Sequence, residues 1–149
     1  MTRTYRVTFG VKVINGLAKA LIRFGLGPRS RCLLTVPGRK SGRPYTTPVT
    51  VVEHNRIRWL VAPYGEVNWV RNARAVGRVA LQRGSRAESV SLVEVEPQER
   101  APILQKYLLL EPITQPYFDA RPDSPLDAFA SEAARHPVFR IQEQARAEG

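Results

Sequence analysis

Leu33-Leu34-Thr35-Val36-Pro37-Gly38-Arg39-Lys40-Ser41-Gly42-Arg43-Pro44-Tyr45-Thr46-Thr47-Pro48 is the stretch whose reading decides the fold. Apolar and β-branched residues on either side of a Gly- and Pro-punctuated loop predict two strands, over 31–36 and 45–53, joined across 37–44. Pro48 cannot donate to a ladder, so it belongs at a sheet edge, a bulge or a rim where backbone faces a ligand. Within the loop, two glycines let the backbone turn and approach a ligand closely. Arg39, Lys40 and Arg43 supply charge-assisted donors, and Ser41, Thr46 and Thr47 add hydroxyls. That donor set suits a phosphate, although a merely solvated basic hairpin loop accounts for the spacing equally well.

Downstream, His54-Asn55 reads as a tight turn into a strand over 56–62, where Ile57, Trp59 and Val61 alternate with Arg58 and Leu60. After Pro63-Tyr64-Gly65, Asn68 is placed to cap a short helix through Val76 that ends at Gly77. Strands over 79–83 and 89–96 follow, joined by a turn at Gly84-Ser85. The sheet then has about five strands. The last third predicts a helix ending near Leu110 and broken early by Pro102, then a Pro-rich lid or wrap-around loop. A helix over 127–135 and an extended closing segment over 136–141 complete it. Strands flanked by helices at both ends, without β-α alternation, indicate an α+β fold with a small antiparallel barrel.

Upstream, Ile14, Leu17, Leu21 and Phe24 recur at helical spacing while Lys12, Asn15, Lys19 and Arg23 fall on another stripe. An amphipathic helix over 9–26 is therefore expected, closed by Gly25, Gly27 and Pro28. It is expected to cover one end of the barrel, the alternative being docking on an anionic membrane through Lys12, Lys19 and Arg23.

The length of 149 residues fits one domain over 1–149. Cys32 is the only cysteine, which excludes a disulfide framework and a multi-cysteine metal site and favours a reducing cytoplasm. No apolar run is long enough to span a membrane and no signal peptide is read. The net charge of +10 divides into +15 over residues 1–86 and −5 over 87–149. A basic half implies an anionic partner: nucleic acid, an anionic membrane or a phosphorylated small molecule. His54 and His136 lack metal-site spacing, so no metal is expected; the former reads as a turn residue and the latter as a surface or packed residue. Serine-hydrolase, P-loop and Rossmann motifs are absent.

The run Gly38-Arg39-Lys40-Ser41-Gly42 with Thr46-Thr47-Pro48, the helix start from Trp69 to Asn72 and the closing Pro137-Val138-Phe139 resemble the deazaflavin-dependent nitroreductase family over most of the chain. The resemblance implies a split β-barrel that uses coenzyme F420, with FMN the less favoured cofactor. It implies hydride transfer to a quinone, nitro compound or activated alkene. Carried over by position, Arg39, Lys40, Ser41, Gly42 and Arg43 would meet the coenzyme's phosphate or oligoglutamate tail, and Arg71 would be available to it. Thr46, Thr47, Pro48 and Val49 would line one side of the ring, Ala62, Pro63 and Tyr64 another, with Trp69 and Asn72 on the helix beneath. Tyr117 and Phe118 would shape the substrate pocket, and Tyr64, Tyr107 or Tyr117 would donate a proton.

Two rival readings stand beside this one. Nucleic-acid binding fits the sequence pI near 10.6 but has no recognisable motif, so no nucleic-acid partner is expected. A noncatalytic carrier of a fatty acid or other apolar ligand on the same fold is the alternative function. Members of the resembled family with such an N-terminal helix need not dimerise as flavin barrels do, so a monomer is expected; the cysteine usage places it in the cytoplasm, with contact at the inner membrane face as the second placement.

Overall fold

A computed structural model describes residues 9–143, with side chains from Gly16 onward. The chain runs α1 (Phe9–Arg23), β1 (Arg31–Pro37), β2 (Pro44–His54), β3 (Ile57–Val61), α2 (Asn68–Val76), β4 (Arg78–Arg83) and β5 (Arg86–Glu94). It continues through α3 (Pro97–Leu110), a 3-10 turn (Pro112–Tyr117), α4 (Leu126–Glu132), a second 3-10 turn (Ala133–Arg135) and β6 (Val138–Glu143). The strands close an antiparallel barrel in the order β1-β2-β3-β6-β5-β4. The expected five strands are six among the described residues, because the closing segment pairs with both β3 and β5 and so seals the barrel.

Two apolar layers result from strands that are buried on both faces. Leu34, Val36, Val51, Leu60, Leu81, Leu92, Phe139 and Ile141 fill the barrel interior, and α2 closes that layer with Val70 and Ala73. On the outer face Val52, Trp59, Val61 and Val138 pack against Leu104, Tyr107 and Leu108 of α3 and Phe129 of α4. Period-2 alternation therefore sends Leu60 inward and Trp59 and Val61 outward, both faces apolar because both are covered.

Several local expectations are corrected. The hairpin turn is centred on Asn55 and Arg56, which carry φ of 55° and 62°, one residue beyond the predicted turn; two successive left-handed residues match the right-handed twist of the flanking strands. Asn68 is the first residue of α2 and not its cap: Val67 holds that position and no side chain caps the helix. β5 begins at Arg86, three residues before its predicted start. Pro102 lies inside α3 without breaking it, since Ala101, Ile103, Leu104 and Leu108 bury enough apolar surface to outweigh the roughly 3 kcal/mol of an interior proline. The helix expected over 127–135 is α4 followed by a 3-10 turn.

The N-terminal helix departs furthest from expectation. Leu17, Leu21 and Phe24 are 63%, 50% and 77% exposed, so this stripe faces solvent instead of covering the barrel. Ile22, 2% exposed, is the contact that seats α1. Its carbonyl accepts from the Gly84 N–H at 3.0 Å, and the Arg83 guanidinium donates to the carbonyls of Gly25, Gly27 and Arg31. The helix thus lies against β1, β2 and β4, with its C-terminal turn bonded to the turn between β4 and β5. Lys12, Ile14 and Asn15 lie outside the residues with described side chains. Among the described residues no helix is long and apolar enough to cross a membrane.

Candidate functional site: a cleft along the open edge of β2

β2 pairs with β1 along Pro44–Thr50, but its ladder with β3 covers only Val51–His54. Among the described residues, one backbone edge of Tyr45–Thr50 is therefore left without a strand, and Pro48 sits in that stretch opposite Leu33. The rim position that proline requires is the floor of a cleft of about 790 Å³, within the usual range for small-molecule sites.

The ladder orders the cleft from end to end. Pro37 faces Pro44 at one end and Arg31 faces Thr50 at the other, six residues away, or roughly 20 Å at strand spacing. At the first end lie Gly38, Arg39, Lys40 and Ser41; along the wall lie Pro63, Tyr64, Trp69 and Asn72; at the second end lie Arg31, Thr50, Glu111 and Thr114.

The loop is locked by its own backbone: the Gly38 N–H donates to the Arg43 carbonyl at 2.7 Å and the Gly42 N–H to the Gly38 carbonyl at 3.0 Å. Gly42 has φ +75°, the left-handed conformation that favours glycine, and a Cβ on Gly38 would lie 2.7 Å from the exposed Tyr45 ring and 3.2 Å from Ser41 Oγ, so a side chain there would have to push both aside. Ser41 Oγ accepts from the Arg43 N–H at 3.2 Å. Buried Asn72 then ties the loop to α2, its Oδ1 accepting from the Arg39 N–H at 3.1 Å and from Arg39 Nη1 at 2.8 Å. Lys40 is exposed on the cleft lip.

The wall is fixed from behind. His136, buried, has Nδ1 3.0 Å from the Pro63 carbonyl and Nε2 2.8 Å from Glu132 Oε1. Burial pushes its imidazole below the ordinary histidine value, outweighing the opposing pull of Glu132. Glu132, also buried, accepts from the Asp119 and Ala120 N–H groups. Phe118 stacks on His136 with ring centroids 4.1 Å apart, and Tyr117 meets Tyr64 edge-on at 4.7 Å. On the solvent side Arg74 pairs with Glu66 and with Glu94, the latter at 2.7 Å.

At the second end Glu111, its side chain 8% exposed, accepts from Arg31 Nε at 3.0 Å and Nη2 at 3.1 Å and from Thr50 Oγ1 at 2.9 Å. The Arg31 side chain is 41% exposed and its affinity for its proton is raised by the Glu111 bond. Tyr107 lines the same end; burial, with Tyr64 and Glu111 nearby, raises its phenol far above the ordinary tyrosine value.

Of the residues expected to hold cofactor or substrate, eleven line the cleft together: Arg39, Lys40, Ser41, Thr46, Thr47, Pro48, Val49, Pro63, Tyr64, Trp69 and Asn72; Tyr107, a candidate proton donor, joins them. Six do not. Gly42 and Arg43 are on the exposed side of the loop, Ala62 is buried behind Pro63, and Arg71 is exposed on α2 away from the lining. Tyr117 and Phe118 support the wall from outside it. Sequence reasoning missed Arg31, Thr50, Glu111 and Thr114. The register alone could have paired Arg31 with Thr50; no local signal marks Glu111, which follows an apolar run at the end of α3.

Comparisons with known proteins agree with this architecture. An F420-H2 dependent reductase, FDR-A, superposes with a TM-score of 0.53 at 24% identity over 76% of this chain and 95% of that one. A protein described as a domain-swapped dimer gives 0.57 at 21% identity over 89% and 99%. HutZ, a heme storage protein from Vibrio cholerae, gives 0.52 at 12% identity over 78% and 83%, a likeness of fold. No curated protein matches the sequence. The profile of the family described as F420H(2)-dependent quinone reductase matches residues 16–120, the span from α1 through the loop, the cleft wall and α3, and the chain belongs to that family.

Proposed function

We propose that this protein is an F420-dependent oxidoreductase that reduces an electron-poor small molecule, a quinone, nitro compound or activated alkene. The observation that carries the reading is the two-glycine basic loop at one end of an elongated cleft whose floor is an unpaired strand edge. The donor set fits the coenzyme. Arg39, Lys40 and Ser41 present cations and a hydroxyl where an anionic tail would enter, and the missing Cβ of Gly38 keeps the turn tight. Thr46, Thr47, Pro48 and Val49 on the floor and Pro63, Tyr64 and Trp69 on the wall would flank a planar ring.

Bound there, F420 would supply the hydride chemistry. The chain's own tasks are to hold the ring edge-fixed in the cleft, exclude water from it and deliver a proton to the product. Both Tyr64 and Tyr107 line the cleft, but Tyr64 suits the proton role better: it is 37% exposed, so its proton can be replaced from solvent, whereas burial makes the Tyr107 phenol a weaker acid.

Titrating the purified protein with F420, together with mass spectrometry of gently purified material, tests the reading. Saturable F420 binding is expected; a copurifying fatty acid with no F420 affinity would establish the carrier function instead. We place the protein in the cytoplasm as a monomer, to be checked by light scattering. The exposed Leu17, Leu21 and Phe24 with Lys19 and Arg23 on the same helix support peripheral contact with an anionic membrane, which absence of cosedimentation with anionic vesicles would exclude.

A further inference from the structure

The residues first expected to shape the substrate pocket, Tyr117 and Phe118, stand behind the wall, whereas the cleft itself continues past Val49 to Arg31 and Glu111. This second end is built differently from the first. Glu111 is buried, and its carboxylate is occupied by three donors from Arg31 and Thr50. Oε1 is taken by two of these donors and Oε2 by one, so at most a single lone pair on Oε2 stays open. A guanidinium has five N–H groups, and the Glu111 bonds take one on Nε and one on Nη2, leaving three. Those three belong to a side chain that is 41% exposed and lines the cleft. The bidentate bond removes the rotamer freedom that a surface arginine would otherwise lose on binding, and the neighbouring carboxylate cancels most of its net charge. Ala18 and Ile113 add apolar surface beside it.

We infer that this end of the cleft is the electron acceptor's pocket, and that Arg31, held in place by Glu111 and Thr50, binds a neutral oxygen of the acceptor, a carbonyl or nitro group on a flat apolar body. The assignment rests on the oxidoreductase reading for the word acceptor and on the Arg31 geometry for the chemistry. A charge-neutralised donor fork flanked by apolar side chains selects an uncharged oxygen acceptor over an anion, which would meet the Glu111 field.

Calorimetric titration of the protein without F420 tests the pocket directly, with 2-acetylnaphthalene as probe and 2-ethylnaphthalene as its oxygen-free isostere. The ketone should bind at least about tenfold more tightly, as a hydrogen bond from a charged donor implies. Arg31→Met/Glu111→Met removes both charges at similar volume, a replacement that folds usually tolerate, and should erase the preference while leaving F420 affinity within about twofold. With reduced F420 supplied as the hydride donor, the KM for 1,4-naphthoquinone should rise at least about tenfold in that variant. Should the double variant fail to fold, Arg31→Lys decides, because one ammonium cannot satisfy Glu111 and also present an outward fork; its preference should fall sharply. Equal affinity for ketone and isostere in the wild type, or a folded variant that keeps the preference, overturns the inference. So does an equal loss of F420 and ketone binding, which marks a structural role. Failure of F420 to bind the wild type would sink the proposed function while the ketone preference still tested the pocket.

Discussion

The two ends of the cleft are made from different kinds of sequence. The loop end is six consecutive residues, 38–43, whose turn is closed by bonds among themselves and needs only Asn72 from elsewhere. The opposite end draws Arg31, Thr50, Tyr107, Glu111 and Thr114 from three distant segments and is assembled only when α3 packs on the outer face of β2 and β3. The lesson is a division of labour. At the loop end the cations are exposed and their removal should cost binding; at the far end a buried carboxylate carries the polar groups and its removal should cost stability.

The largest expected effect is at the far end. Glu111→Ala leaves the Arg31 guanidinium and the Thr50 hydroxyl without their acceptor and should destabilise the fold by about 2–3 kcal/mol, below the value for a fully buried pair because Arg31 is partly solvated. An unchanged urea midpoint would break the contrast.

Next comes the loop end. Arg39→Ala/Lys40→Ala should weaken F420 binding at least about tenfold, more steeply at low salt, while stability falls by no more than about 1 kcal/mol. The backbone N–H of residue 39 still donates to Asn72 in that variant, so only the Nη1 bond is lost. Wild-type affinity in a folded double variant would move the anionic tail elsewhere.

The wall between the ends supplies a pH test. The folded value of His136 lies below the ordinary one, so the unfolded chain takes up the proton first as pH falls. Its stabilising share is fully present above about pH 6.5 and is lost as pH drops from there through the folded value. Urea midpoints should therefore decline as pH falls below about 6.5, and His136→Gln should flatten that decline. A decline of the same steepness in the variant would assign it to other groups.

The smallest effect sharpens the placement of the ring. Trp69 lines the cleft and tilts against Phe139 with centroids 5.7 Å apart, so its fluorescence should quench as F420 binds. Trp69→Phe should abolish most of the quench and cost about 1 kcal/mol or less in aromatic packing. A quench retained in full would point to Trp59, which packs on the outer layer.

How much of this was legible follows from the range of the interactions. The strands around the loop, the loop's cations, the placement of Pro48 and the helix ending at Gly77 rest on periodicity, turn chemistry and the missing proline donor, all properties of neighbours in the chain. The exposure of Leu17, Leu21 and Phe24 was not legible, because an apolar stripe states that a face can be buried and not what arrives to bury it. Pro102 misled for a related reason: local backbone cost is visible in sequence, whereas the packing of α3 that offsets it is not.

By itself, then, the sequence determined the strand-loop-strand unit, its cationic turn and the family to which they belong, because these depend on contacts among residues close along the chain. Only the tertiary structure decided that β3 stops short of the open half of β2, that Tyr117 and Phe118 stand behind the cleft wall, and that Glu111 meets Arg31 across 80 positions. Barrel closure and helix docking place those groups together, and their energies are set by burial and register between segments that carry no local trace of one another.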